Sequence, residues 1–263
     1  MLFRSGVGLG LAEAALVFEE LGRRLVPGPL IATEWATTAG LTGPGIDVVA
    51  VVERDGEPVL VDHVPALDRL LILDGDGVWS VAPGVLVATP VERPLDPLAP
   101  MYRVDGLPQG ERVGDASTAS RLALEGAVLT AAYLVGSAQA VTDLAVRYSL
   151  QRRQFGRPVG SFQALKHLMA DMHVRAAIAE SAVLVAAVAL DEGDGDDPVR
   201  AVHTAKLVAT EAAMKNAKTA IQVHGGMGYT WEVDAHLHLK RAWSLDTVFG
   251  TAGEHADALA RLV

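Results

Sequence analysis

The stretch Tyr148-Ser-Leu-Gln-Arg-Arg-Gln-Phe-Gly-Arg-Pro-Val-Gly-Ser-Phe-Gln163 stands between two long helical patterns and guides the interpretation of the whole chain. It gathers Arg152, Arg153 and Arg157 around a Gly-Arg-Pro-Val-Gly loop. Guanidinium groups match phosphate oxygens in pairs, and glycines let backbone N–H groups approach them, which favours a pyrophosphate site. The alternative is an arginine-rich helix end that complements the helix dipole. Composition alone leaves both interpretations open.

Helical periodicity continues on both sides of this stretch. Apolar residues recur with the helical period over residues 118–151, 162–190, 198–223 and 234–249, and a last turn or two follows from Gly253. Aromatic residues make up only 5% of the chain, whereas Ala, Val, Leu and Gly abound, which suits closely packed helices. The pattern therefore predicts a C-terminal four-helix bundle with short connections.

The N-terminal half combines one helical pattern with short β-like segments. Residues 11–25 form an amphipathic helical pattern, which ends at Pro27-Gly28-Pro29. Short β-like segments follow at residues 47–52, 58–62, 70–73, 78–81 and 85–89. A hairpin turn is predicted at Asp74-Gly-Asp-Gly77, because Asp-Gly supplies positive φ angles. The predicted fold class is α+β, with a partial N-terminal helical domain (1–33), a small middle β domain (34–114) and the helical bundle (115–263).

The third long helix ends in a second glycine-rich segment, Gln222-Val-His-Gly-Gly-Met-Gly-Tyr229. A glycine directly after a helix is ordinarily a C-cap. Three glycines within four residues exceed what one cap needs, and they permit close backbone approach to a flat or phosphorylated ligand. We therefore interpret this segment as a second ligand contact.

Together the two segments resemble a known family. The pattern Arg-Arg-Gln-Phe-Gly-Arg-Pro-x-Gly-x-Phe-Gln, followed about sixty residues later by Gln-x-x-Gly-Gly-x-Gly, is similar to the acyl-CoA dehydrogenase family. The similarity extends through Lys166-His-x-x-Ala-Asp-Met172 and Trp231-Glu-x-Asp-x-His-x-x-x-Lys-Arg241, and so covers nearly the whole bundle. The helix within residues 13–29 also resembles part of that family's N-terminal domain.

In that family these motifs bind FAD across a subunit interface. The resemblance implies that FAD, mainly its ADP side, contacts Arg152, Gln154, Phe155, Phe162, Gln163, Gln222, Val223, Gly225 and Gly226. It also implies α,β-dehydrogenation of an acyl-CoA thioester. In that reaction a carboxylate base removes the α-proton while the β-hydrogen leaves as a hydride to the flavin.

The positions of that base carry no carboxylate here. Family members place a glutamate late, in a Tyr-Glu-Gly-Thr pattern, or early, on the first bundle helix. The late pattern is replaced by Thr247-Val-Phe-Gly-Thr251, which we align with Gly250 in the place of the glutamate. The early position falls on Gly126, with Glu125 immediately before it. One residue along a helix is a rotation of about 100°, so Glu125 is expected to point away from the place of the base. Glu254 is a further candidate.

A second departure concerns the β domain, which lacks the segment Thr-Glu-x-x-x-Gly-Ser-Asp that family members carry beside the flavin. The ADP-side motifs remain while the base and the flavin side are lost. This resembles the non-catalytic partner subunits of heteromeric actinobacterial acyl-CoA dehydrogenases of the sterol side-chain type. We therefore expect a second family subunit as the partner. The alternatives are a self-sufficient homodimeric enzyme that uses Glu125, and a flavin-free structural or regulatory subunit.

Composition argues against several other classes. The net charge of −10 disfavours a nucleic-acid surface. The chain has no cysteine, which excludes disulfides and thiolate chemistry and makes a reducing cytoplasm the expected compartment. His236 and His238 face different directions on a helix, so no metal site is predicted. The most apolar stretches, 127–141 and 181–190, are shorter than a membrane span.

Two further expectations concern local segments. The first residues, Met1-Leu-Phe-Arg-Ser5, lack the apolar core and cleavage site of a signal peptide, and we expect an N-terminally truncated chain. The acidic segment Asp191-Glu-Gly-Asp-Gly-Asp-Asp-Pro198 is interpreted as a solvated turn that ends at a helix start.

Overall fold

The computed structural model describes residues 8–42, 47–54, 58–193 and 197–262. The expectation about Met1–Ser5 lies outside the described residues, as does the middle of the acidic segment. The chain divides into two compact units, one of residues 1–10 and 27–126 and one of residues 11–26 and 127–263. Helices and sheets are both present and the C-terminal region is helical, which confirms the predicted fold class.

The helices follow the predicted pattern closely. Within the described ranges they are α1 (Leu11–Arg23), α2 (Leu30–Thr38), α3 (Ala116–Gln151), α4 (Gln163–Glu192), α5 (Pro198–His224), α6 (Ala235–Asp246) and α7 (Ala252–Arg261). Helix α2 was not predicted. Helix α7 is longer than the turn or two expected after Gly253.

The first unit is built on two sheets. The strands are β1 (Val49–Glu53), β2 (Leu60–Asp62), β3 (Arg69–Asp74), β4 (Gly77–Val81), β5 (Ala88–Pro90), β6 (Met101–Val104) and β7 (Glu111–Asp115). One sheet has the order β1-β3-β4-β7 with β1 and β3 parallel, and the other is the antiparallel β2-β6-β5. The hairpin between β3 and β4 is confirmed at Asp74–Gly77. The predicted strand at 85–89 instead begins at Ala88, after a 3-10 turn, and β6 and β7 were missed.

Both sheets of this unit contribute to one apolar core. Its buried members are Ala50, Val61, Leu67, Leu70, Ile72, Val81 and Val104. These residues come from β1, β2, β3, β4 and β6 and from the turn before β3. Strands that are each only three to six residues long are stabilised by this shared burial.

In the second unit, helices α1 and α3 touch backbone to backbone. A Cβ added to Gly136 would lie 1.8 Å from the carbonyl oxygen of Glu19, and one added to Gly22 would lie 1.9 Å from that of Tyr133. Real Cβ atoms do not approach so closely, so both positions require glycine. These two glycines fix where α1 crosses α3.

Buried polar side chains join the other helices of this unit. The side-chain amide nitrogen of Asn216 on α5 donates to Met172 O (2.8 Å) on α4 and to Thr142 Oγ1 (3.2 Å) on α3. Its side-chain oxygen accepts from Arg175 Nε at 2.9 Å. Fully buried Asn216 thus connects three helices, and it satisfies the hydrogen-bonding capacity that would otherwise make its burial costly.

The acidic segment has a structural role that was not predicted. Asp191, at the end of α4, accepts hydrogen bonds from the backbone nitrogens of Leu11 (2.9 Å) and Ala12 (3.1 Å). A carboxylate at the first turn of a helix satisfies free N–H groups and complements the helix dipole. Asp191 therefore caps α1 over a long sequence separation, while Asp197 caps α5 locally.

Two helices are more apolar than expected. By length and composition alone α3 and α4 could each cross a bilayer, a criterion that core helices of soluble proteins also meet. In α3 the most apolar window is 83% buried, but in α4 the corresponding share is 28%. The expectation that no stretch reaches the length of a span was therefore wrong on length. Helix α4 exposes an apolar face that the described residues leave uncovered.

We expect Gly136→Ala to destabilise the protein by about 1–3 kcal/mol, because the added methyl group forces α1 and α3 apart. Urea denaturation followed by circular dichroism would measure the change. Gly84→Ala is the matched control, since its added Cβ meets nothing within 4 Å. Equal unfolding free energies for the two variants would contradict the close crossing.

A buried histidine predicts an acid-labile bundle. Burial, and after it the Arg241 charge, lowers the pKa of His238 to about 4. Its Nδ1 lies 2.8 Å from Ser137 Oγ. The unfolded chain binds this proton near pH 6.5 and the folded chain only near pH 4, so stability falls as the pH drops through this window.

We expect His238→Gln to flatten the acid side of the stability curve, because glutamine does not take up a proton. The wild type should lose about 3 kcal/mol more than the variant between pH 7 and pH 4. Urea midpoints measured at several pH values would show this. Parallel curves for the two proteins would refute the assignment.

Candidate functional site

The basic stretch folds into a tight hairpin at the end of α3. Arg152 N donates to Tyr148 O at 2.8 Å, and Val159 N donates to Arg152 O at 2.8 Å. Between them lie strands β8 (Arg153–Gln154) and β9 (Arg157–Pro158). Phe155 and Gly156 form the turn, both with positive φ (52° and 78°), which matches the twist of a two-residue hairpin.

This hairpin presents an aromatic ring and cations to solvent. Phe155 at the tip is 91% exposed. Its ring stands edge-on to the Phe162 ring, with the two ring centroids 6.2 Å apart. The Arg157 guanidinium lies 4.1 Å from the Phe162 ring. Arg152, Gln154 and the first residue of α4, Gln163, are also exposed. An exposed phenylalanine among arginines is typical of a surface that a ligand or partner covers.

The second predicted segment gives open access to the backbone. Gly225 follows α5 with φ of 61°, and Cβ atoms added to Gly225 or Gly226 would meet nothing within 4 Å. A Cβ on Gly228 would instead lie 2.5 Å from Ile221 O. Gly228 therefore serves the packing of the chain itself, whereas the backbone at Gly225 and Gly226 faces free space.

The two segments meet at an aromatic contact. Tyr148 lies one turn before Arg152, and His224 directly precedes Gly225. The centroids of the Tyr148 and His224 rings are 4.3 Å apart. The Tyr148 hydroxyl donates to His224 O at 3.4 Å. Of the neighbouring predicted contacts, Gln222 is exposed, but Val223 lies in the core of the unit. The Val223 side chain is therefore not exposed to a ligand.

These features fit a ligand that carries a pyrophosphate, as FAD does. Arg152, Arg153 and Arg157 are exposed, and guanidinium forks bind phosphate oxygens well. The open backbone at Gly225 and Gly226 allows a flat group to approach closely. Among the residues that the structure describes, no three His, Asp or Glu side chains gather in a way that would hold a metal ion.

The early base position is occupied by a buried glycine, and Glu125 beside it faces other polar groups. Glu125 is buried, and its Oε1 accepts from Arg121 Nε at 2.9 Å. It lines a cavity with residues of α2 and of the first turns of α3. The ion pair holds the carboxylate on this face of α3.

The late base position lies in a loop that is held from two sides. Lys206, fully buried on α5, directs its ammonium group to the carbonyl oxygens of Leu245, Asp246, Val248 and Gly250 at 2.8–3.2 Å. Gly250 has φ of 89°, and a Cβ there would lie 2.9 Å from His255 Nε2. The same His255 nitrogen donates to Phe249 O at 2.9 Å. The loop is therefore shaped around a glycine at position 250.

An alternative alignment follows from this loop. Gly250-Thr251 also matches the Gly-Thr of the family pattern, which would put Phe249 in the place of the glutamate. Phe249 has φ of 55° and a buried ring. Glu254 belongs to the capping box of α7, where the Thr251 backbone N–H first, and then the Thr251 hydroxyl, lower its pKa. Neither alignment supplies a carboxylate at the late position.

Lys206 and Asp191 are structural residues that sequence reasoning missed. Lys206 falls on the apolar stripe of α5, four residues after Val202 and three before Ala209, both fully buried. A lysine in such a stripe is a detectable signal for a buried cation. Asp191 has no comparable local signal, because its partner helix begins 180 residues earlier.

Two comparisons with known proteins agree on one family. Residues 117–263 match the family model described as acyl-CoA dehydrogenase, C-terminal domain. Acyl-CoA dehydrogenase IpdE2 of Mycobacterium tuberculosis is 38% identical over 246 residues, which cover 90% of this chain and 73% of the relative.

Solved structures share the fold. The ChsE4-ChsE5 complex from Mycobacterium tuberculosis has a TM-score of 0.81 at 22% identity and covers 97% of this chain and 81% of that one. The Tcur3481-Tcur3483 steroid ACAD has a TM-score of 0.82 at 23% identity, with 98% and 82% covered. The family match and the extended identity to IpdE2 show that this chain belongs to the acyl-CoA dehydrogenase family of flavoprotein oxidoreductases, which act on CH–CH groups.

Proposed function

We propose that this chain contributes FAD contacts to a heteromeric acyl-CoA dehydrogenase and that a second family subunit supplies the catalytic base. The observation that carries the proposal is the exposed Phe155 hairpin, joined through Tyr148 and His224 to the open backbone at Gly225 and Gly226. Arg152, Gln154, Phe155, Phe162 and Gln163 would hold one part of the cofactor. Gln222, Gly225, Gly226 and the Val223 backbone would hold another.

The chemistry that FAD supplies when bound is acceptance of a hydride from the β-carbon of the acyl-CoA. The residues of this chain have a different task in that reaction, which is binding and orientation. Arg152, Arg153 and Arg157 provide local positive charge on a chain whose net charge is −10, so the pyrophosphate finds charge-assisted hydrogen bonds there. The short hairpin fixes these side chains on one rigid turn at the end of α3.

The base is assigned to a partner because this chain lacks a suitable carboxylate. Gly126 and Gly250 stand in the two base positions, and the alternative alignment replaces Gly250 by Phe249. Glu125 is committed to Arg121, and Glu254 to the cap of α7. A cytoplasmic location is part of the same proposal.

The exposed face of α4 supports an assembly with another subunit. Val174, Ile178 and Val185 are each more than half exposed, and Val188 is also exposed. With Ser181 they follow spacings of four, three, four and three residues, which is the pattern of a helix seam that packs against another helix. The ChsE4-ChsE5 structure, a complex of two named chains, is consistent with a heteromeric arrangement for this fold.

A self-sufficient homodimer that uses Glu125 is the first alternative, and the burial of this carboxylate beside Gly126 is the observation in its favour. A flavin-free structural or regulatory subunit is the second alternative. It would keep the α4 interface without using the hairpin.

We expect Arg152→Ala and Gln222→Ala to weaken FAD binding by the co-expressed complex about tenfold or more, because charge-assisted hydrogen bonds are lost. Flavin absorbance per protein after gel filtration would measure this. Arg24→Ala, an exposed arginine paired only at the surface, is the control. Unchanged flavin content, assembly and activity in both site variants would favour the flavin-free subunit.

We expect Glu125→Gln to leave bleaching of the flavin by acyl-CoA in the complex within about tenfold of wild type, because the base lies on the partner. The chain purified alone should not oxidise acyl-CoA. Stopped-flow absorbance would follow the bleaching. If the lone chain bleaches its flavin and Glu125→Gln abolishes this, the base belongs to this chain.

A further inference from the structure

Two histidines of the second unit meet beside the loop at residues 247–251. His203 on α5 places its Nδ1 atom 2.7 Å from Nδ1 of His255 on α7. His255 is buried and His203 is half-buried. At this distance the two nitrogens share one hydrogen, because two lone pairs or two N–H groups would repel each other.

The other nitrogen of His255 determines where that hydrogen is bound. His255 Nε2 lies 2.9 Å from Phe249 O, and a carbonyl oxygen can only accept, so Nε2 carries a proton. In the neutral ring the Nδ1 of His255 is then an acceptor, and His203 Nδ1 must donate to it. We call this chain of two hydrogen bonds, from His203 through His255 to Phe249 O, the histidine clasp. It fixes the tautomer of both rings.

The histidine clasp accepts one extra proton but not two. A first proton can bind at His203 Nε2, because the bond between the two Nδ1 atoms then stays in place and becomes charge-assisted. A second proton would have to bind at His255 Nδ1, where it would point at the N–H of His203. Two like charges would then lie at contact distance, which is strongly unfavourable for a coupled pair.

The surroundings of the pair also oppose a second charge. Burial is the largest cause that lowers the pKa of both histidines. For His255, the hydrogen bond to Phe249 O raises the pKa in part, whereas Lys206 and then His203 lower it. The charged groups that face the pair belong to α5, to its N-cap and to α7. They are Asp197, Lys206, Glu254 and Arg261.

His255 holds the loop in two ways. Its Nε2 binds Phe249 O, and its ring fills the space beside Gly250, where an added Cβ would lie 2.9 Å from Nε2. Both nitrogens belong to one rigid ring, so a rotation that separates His255 from His203 also moves Nε2 away from the carbonyl. The loop would then lose its contact with α7, while Lys206 would still hold it from α5.

We propose that the histidine clasp is a proton-sensitive device, which holds the 247–251 loop with at most one extra proton and releases it when a second proton binds. Acid therefore changes the shape of the late base position in this chain. The inference requires neither bound FAD nor a partner subunit, so the full chain alone is suitable for the tests.

The first test determines the tautomer of His203. Nitrogen–proton correlation spectra of the full chain with isotope-labelled histidine would be recorded at pH 7, and the His203 signals are those that His203→Asn removes. We expect the proton of His203 on Nδ1, because this atom must donate to His255. A proton on Nε2 alone would overturn the inference.

The second test measures release of the loop by hydrogen exchange and mass spectrometry. The amides of Val248, Thr251 and Ala252 are hydrogen-bonded and report on the loop. Their protection relative to that of α3 at the same pH should fall about tenfold between pH 7 and about pH 4.5, since one hydrogen bond is lost there. The comparison with α3 removes the general acid lability of the bundle.

Two variants of His203 separate the clasp from ordinary packing. His203→Leu should show the lowered loop protection already at pH 7, because leucine cannot donate to His255. His203→Asn should keep the protection at both pH values, because an amide can donate to His255 Nδ1 and, after it turns over, accept from it. His173→Asn, at an exposed position on α4, is the control and should behave like wild type. A relative protection that does not change with pH in wild type, or that is unchanged in His203→Leu, would overturn the inference.

Discussion

Direct contact between helix backbones is the constraint on which the bundle depends. Gly22 and Gly136 bring α1 onto α3, and alanines such as Ala217 and Ala220 fill the interior near the ends of α3 and α5. Small side chains leave little room for adjustment, because packed interiors do not deform continuously. Buried polar side chains between the helices must therefore find hydrogen-bond partners at fixed positions, as Asn216 does. The ends of these helices are fixed in turn, which gives the hairpin and the glycine segment defined positions.

The long helices could be predicted because their apolar residues repeat with the helical period over many turns. Helix α2 was missed, since Ala32, Glu34, Trp35 and Ala36 are all buried and leave no contrast between a polar and an apolar face. Strands β6 and β7 were missed for the opposite reason. They bury little, so their residues do not alternate clearly between apolar and polar.

The parts of the candidate site that could be predicted are those with a local sequence pattern. Arginines and glycines at close spacing pointed to the hairpin and to Gly225, but Val223 turned inward, which the motif does not reveal. The surroundings of Gly250 could not be predicted. Lys206 reaches that loop from α5 and His255 from the first turn of α7, and neither residue has a local signature that identifies its partner.

The loop around Gly250 also bears on the evolutionary history of the chain. Lys206 binds four carbonyl oxygens there, and the His255 ring fills the space beside Gly250. A glutamate at position 250 would meet a left-handed backbone and the His255 ring, which occupies the space that its Cβ needs. One substitution at position 250 would therefore not restore a base to this chain, so a dependence on another subunit, as proposed above, would persist.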